Sequence, residues 1–237
     1  MASPMSTYMM ERRTFLSLSL PAMAAASVAF AASNEAHEPI SADAALSKLK
    51  AGNQRFVASK PLHPHQNVAL RTKLSKAQHP FAAILSCADS RVPPELLFDE
   101  GLGDLFVVRV AGNVVDDAIL GSLEYGAHHL EIPLIVVLGH TSCGAVTAAV
   151  KGGEVEDHVK SLIEAIHPAV EKARPLAGDL TANTVRVNVA QSVEALRNST
   201  PTLSHLIAEH KLKVIGAVYD LNTGVVSWLE KTADTVG

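Results

Sequence analysis

Apolar positions change rhythm along the chain, and each change predicts a different kind of element. Across residues 41–57 they fall at Ala42, Ala45, Leu46, Leu49 and Phe56, a helical spacing with Ser41 placed to cap the first turn. A stretch rich in His and Pro at 61–65 breaks that pattern, and a second short helix is expected over 67–76. Continuous apolar runs follow at 81–87, 105–110 and 134–138. Runs apolar on both faces suit parallel strands buried under helices, not strands with one wet face. Between them, Pro93-Pro94 opens a helix, 116–130 has an amphipathic period, and 143–151 predicts a third helix ending at Gly152-Gly153. Further helices are expected over 156–173, 183–197 and 201–210, then a buried strand over 214–219. Asn222-Thr223-Gly224 supplies a turn before a last strand over 225–229. The alternation predicts an α/β fold: a mostly parallel central sheet flanked by helices, with right-handed crossovers and a C-terminal antiparallel edge strand.

The N-terminus follows different rules. Arg12-Arg13 precedes a Ser- and Ala-rich apolar run over 15–31, and Ala29-Phe30-Ala31 has the small-x-small form of a cleavage site. The run is too short and too weakly apolar for a membrane span, which needs about 20 residues. Together these features resemble a twin-arginine export signal. The expected organisation is therefore a signal peptide over 1–31, cleaved near Ala31, and one catalytic domain over 32–237. The twin-arginine machinery is the expected partner in transit, and the periplasm the destination. The 237 residues, 48% hydrophobic, suffice for one sizeable core. Net charge is −4, and −5 without residues 1–31, with no block of like charge and only 4% aromatic residues. That composition argues against a nucleic-acid-binding role.

The candidate chemistry lies at predicted strand ends. Cys87 ends one predicted strand and His140 ends another, two residues past Leu138. Open parallel sheets bind ligands at the carboxyl ends of their strands. Cys143 follows in His-Thr-Ser-Cys and opens a helix, where the dipole favours the thiolate that metal binding needs. Two Cys and one His leave one position of a tetrahedral ion open, the pattern of a catalytic site rather than a closed structural one. In an exported chain the same two cysteines also suit a disulfide, whereas export after folding suits a metal loaded beforehand. Asp89 and Arg91 flank Cys87. A carboxylate there can orient a nucleophile at the open position or occupy it, and an arginine paired with it would decide which. A simple surface ion pair is the plainer alternative.

These segments carry a family resemblance. Cys87-Ala88-Asp89-Ser90-Arg91-Val92-Pro93-Pro94-Glu95 resembles the signature of the β-class carbonic anhydrases, and Gly139-His140-Thr141-Ser142-Cys143-Gly144-Ala145 resembles its partner motif. The segments 103–113 and 214–224 are similar to the family as well, so the resemblance runs from about residue 41 to about 230. It implies one zinc ion per chain on Cys87, His140 and Cys143, with Asp89 and Arg91 as a dyad that orients a water activated at zinc. The implied reaction is reversible hydration of carbon dioxide to bicarbonate and a proton. In some members the residue matching Asp89 ligates zinc in a closed state. A homodimer or higher homo-oligomer, with the cleft near a subunit interface, is also implied. Two rival readings share this pattern: a hydrolase for COS or CS2 on the same scaffold, and a non-catalytic interaction protein stabilised by zinc or a disulfide. Glu100, Tyr125, His128 and His129 receive no role.

Overall fold

A computed structural model describes residues 40–229, so the expected export signal over 1–31 lies outside the described residues. The first helix, α1 (Ala42–Val57), starts where predicted because the Ser41 hydroxyl accepts the Ala44 N–H at 3.2 Å. Asn67 caps α2 (Val68–Leu74) in the same way. Then come β1 (Ala82–Ser86), α3 (Pro94–Leu97), β2 (Leu105–Arg109), a 3-10 turn (Ala111–Asn113), α4 (Asp117–His129) and β3 (Leu134–His140). They are followed by α5 (Gly144–Lys151), α6 (Val159–Ala173), α7 (Leu180–Arg197), α8 (Thr202–Ala208), β4 (Lys213–Tyr219) and β5 (Val226–Leu229).

The sheet order is β2-β1-β3-β4-β5, with the first four strands parallel and β5 antiparallel to β4. This is the predicted mostly parallel sheet with its antiparallel edge. Alternate residues of β3 serve opposite layers. Val136 and Leu138 pack with Leu49 of α1, and Ile135 and Val137 with Val193 and Leu196 of α7. Burial on both faces is why β1 and β3 read as unbroken apolar runs.

Three expectations need correction, the simplest being that α6 begins at Val159, three residues after the expected 156. The run at 105–110 was expected to form a strand buried like the others, but β2 is the edge strand, with Leu105–Val108 half-buried and Arg109 exposed. Its side chains are apolar enough for a central strand, yet among the described residues no further strand covers its outer side. Helix α7 begins at Leu180, three residues before the expected 183, because Asp179 accepts the Ala182 N–H at 2.7 Å and starts the helix early.

Helix α7 lies unusually close to the sheet. A Cβ on Gly139 would fall 2.5 Å from Val189 Cγ2, and one on Gly216 2.7 Å from Val189 Cγ1. Two glycines on adjacent strands thus form the hollow that receives Val189. This contact yields a prediction. Gly216→Ala should destabilise the fold by about 1–3 kcal/mol through overpacking. Combined with Val189→Ala, the double variant should lose less stability in urea unfolding than the two single losses together. Simple additivity would show that the hollow does not set the approach of α7.

Candidate metal centre

Parallel pairing delivers the site. Ser86 of β1 pairs with Leu138 of β3, so Cys87, one residue past its strand, and His140, the last residue of its own, emerge at one edge of the sheet. Cys143 arrives as the N-cap of α5. The ligand atoms of Cys87, His140 and Cys143 all lie within 4.8 Å of one another, and all three residues are buried. The two cysteines are free, with their sulfurs 4.0 Å apart, so the disulfide considered from the sequence is not formed.

The donor set fits a zinc ion. His140 Nδ1 lies 2.9 Å from the carbonyl oxygen of Thr141. A carbonyl can only accept, so Nδ1 carries the proton and Nε2 offers its lone pair. That Nε2 is buried and has no hydrogen-bond partner, a costly arrangement unless something binds there. The thiols behave as a pair. The hydrogen bond from Cys143 is the main influence holding the Cys87 thiol far below its usual range, opposed by burial and aided by the Gly112 N–H, 3.3 Å from its sulfur. The Cys143 thiol is pushed up, first by its bond to Cys87 and then by burial. A divalent cation would let both thiols ionise. Two thiolates and one imidazole match zinc, with one tetrahedral position to spare.

Asp89 stands beside this trio, its Oδ2 3.9 Å from His140 Nε2. Arg91 holds it in a two-pronged grip, Nε to Oδ1 at 2.9 Å and Nη2 to Oδ2 at 2.7 Å, while the Arg91 N–H also donates to Oδ1 at 3.0 Å. These bonds, led by the side chain of Arg91, keep the carboxyl well below the usual carboxylate range. Of the two arrangements open from the sequence, the structure has the arginine-paired one. Arg91 also reaches the carbonyl of Ser142, at 3.4 Å, and so touches the loop between His140 and Cys143.

Other residues with a part in the site went unassigned in the sequence. Asn188 donates to the Gly112 carbonyl at 2.8 Å, and Ser192 to the Asn113 carbonyl at 3.1 Å. They anchor the turn whose N–H meets Cys87. Their signal was two polar residues one helical turn apart among the valines of α7. Arg109 donates to the carbonyls of Cys87 and Asp89. Glu100 belongs to a separate ion cluster. Its Oε2 pairs with Lys48 at 3.1 Å, and burial raises its pKa despite that partner. His128 and His129 end α4 at the amino end of β3, the far end of that strand from His140.

Comparison with known proteins agrees with this geometry. The sequence pattern of the carbonic anhydrase family matches residues 82–226. Carbonic anhydrase 2 of Mycobacterium tuberculosis is 44% identical over 185 residues, 76% of this chain and 89% of that protein. The carbonic anhydrase of Mycolicibacterium smegmatis is 43% identical, over 77% of this chain and 91% of its own. Among solved structures, the Coccomyxa β-carbonic anhydrase in complex with acetazolamide aligns with a TM-score of 0.64 at 31% identity, over 78% of this chain and 86% of that one. One of two tetrameric β-carbonic anhydrases from Sordaria macrospora aligns at 0.63 and 27% identity, over 76% and 94%. With the fold, the Cys-His-Cys trio and these relatives in agreement, the chain belongs to the carbonic anhydrase family, and within it to the β class.

Proposed function

We propose that this chain hydrates carbon dioxide reversibly to bicarbonate and a proton, with Cys87, His140 and Cys143 holding one zinc ion and Asp89, paired with Arg91, orienting the nucleophile. The observation that carries the reading is the buried His140 Nε2, without a partner, between two thiols and next to a carboxylate that an arginine restrains. Zinc held by that set would lower the pKa of a bound water to about 7, which would make a strong nucleophile available near neutral pH. The remaining work falls to the chain. Thr141 fixes the His140 tautomer, and Gly112 steadies Cys87. Apolar Val114, Val146 and Ile166 pack around the cysteines and exclude water behind them. Asp89, ionised, accepts a hydrogen bond from the nucleophile and turns its lone pair toward the carbon of CO2. Addition gives bicarbonate, and one proton is left for solvent.

The same reading includes a homo-oligomer. It is supported by the half-buried apolar edge strand β2, by Tyr125, 41% exposed beside Phe106, and by the tetrameric state stated for the Sordaria relatives. It also includes export through the twin-arginine route to the periplasm, with a signal over 1–31 and a catalytic domain over 32–237. Arg12-Arg13, the apolar run and Ala29-Phe30-Ala31 support it.

Each part has its test. Cys143→Ser should lose zinc and CO2 hydration together, whereas Asp89→Ala should keep one zinc per chain and lose about 100-fold or more in kcat. Stopped-flow hydration with zinc analysis of the same samples would distinguish them, and unchanged turnover in Asp89→Ala would remove that residue from the mechanism. Analytical ultracentrifugation of the protein lacking residues 1–31 should give a multiple of the protomer mass, and a monomer at micromolar concentration would refute the assembly. Replacing Arg12 and Arg13 by lysine should strand the folded enzyme in the cytoplasm; undiminished export on cell fractionation would point to another route.

A further inference from the structure

Arg109 ends the edge strand β2, but its side chain serves the metal-binding loop. Its Nε donates to the carbonyl of Cys87 at 3.0 Å and its Nη2 to the carbonyl of Asp89 at 2.6 Å. One planar guanidinium therefore spans the two peptides that carry a metal ligand and the orienting carboxylate. The sheet ladder stops at this point: Ser86 is the last residue of β1 paired with β2, opposite Arg109. Past it, the backbone bonds joining 86–88 to the next strand are Val110 N to Ser86 O at 3.1 Å and Ala88 N to Val110 O at 3.2 Å. Strand pairing itself asks nothing of the side chain at 109, and a β-branched residue would serve the edge as well.

The need for such a grip follows from Asp89. Its Oδ2 is 3.9 Å from His140 Nε2, so a small rotation of the loop would carry the carboxylate onto the ion. Arg91 cannot prevent this alone. It is two residues along the same loop, its side chain is 55% exposed, and it would travel with its partner. Arg109 is anchored in the sheet and gives the loop a fixed frame. We propose that Arg109 is a positioning residue for the hydration reaction: it holds the peptides at Cys87 and Asp89 so that the Asp89 carboxylate stays with Arg91, beside the nucleophile and off the metal. This rests on the metal-site reading above.

The test uses the full mature chain, loaded with zinc for kinetics and with cobalt(II) for visible spectroscopy, as the parent and as Arg109→Ala, Arg109→Gln and Arg109→Lys. The expected result is one metal per chain and a retained thiolate-to-cobalt charge-transfer band in every variant. In Arg109→Ala the cobalt d–d bands should shift, and kcat per bound metal should fall at least about tenfold with KM nearly unchanged. Lysine should restore part of the rate, since it can make one of the two bonds. In an Asp89→Ala background, Arg109→Ala should cost no further turnover. A purely structural role would instead lower thermal stability with kcat per bound metal and the cobalt spectrum unchanged, and that result would overturn the proposal. Should the alanine variant fail to fold, the glutamine and lysine variants are read by the same criteria. A parent without CO2 hydration would refute the proposed reaction, while the cobalt spectra would still decide whether Arg109 places the carboxylate.

Discussion

The register between β1 and β3 is the constraint on which everything else depends. Ser86 faces Leu138, and only in that pairing do Cys87 and His140 leave the sheet side by side. A slip of one residue would send alternate side chains of β3 into the opposite layer and turn His140 away from the cysteines. The apolar residues of β3 prevent the slip, because each is matched to the helices on its own face. The metal centre is thus specified by the packing of a strand whose other six residues do no chemistry.

A second tier of contacts sets the electronic and geometric detail. Val189 can sink between Gly139 and Gly216, and that close approach brings Asn188 within reach of the Gly112 carbonyl. Asn188 steadies the turn, and the turn presents its N–H to the Cys87 sulfur. Core packing and thiolate stabilisation are consecutive links of one chain of contacts. On the other side, Arg91 reaches from the Asp89 loop to the carbonyl of Ser142, so the two metal-binding motifs touch directly as well as through a shared ion.

Features encoded locally were legible in the sequence. Ser41 caps α1, His140 ends β3, and Asn222-Thr223-Gly224 turns the chain into β5, each through neighbours a few residues away. What was not legible depends on partners far along the chain. The run at 105–110 carries apolar residues like those of a central strand, and nothing within it records that β2 is the edge of the sheet among the described residues. Asn188 and Ser192 are separated from their acceptors by more than seventy residues. Arg109 stood in a familiar motif, yet its two acceptors are defined only once β2 lies against β1. The trio itself could be named because ligand types at strand ends carry information that side-chain identity preserves; the devices that hold it are written in three dimensions.

His140 is both a ligand and a rung of the sheet, opposite Tyr219 of β4, and the next N–H, on Thr141, still bonds the Tyr219 carbonyl at 2.9 Å. A ligand embedded in a central ladder moves only when the sheet opens, an event close to global unfolding in cost. Cys143 sits instead at the start of an eight-residue helix that runs out at Gly152. The sheet thus fixes one ligand and the start of a helix another, so the geometry of the centre joins two separate parts of the fold.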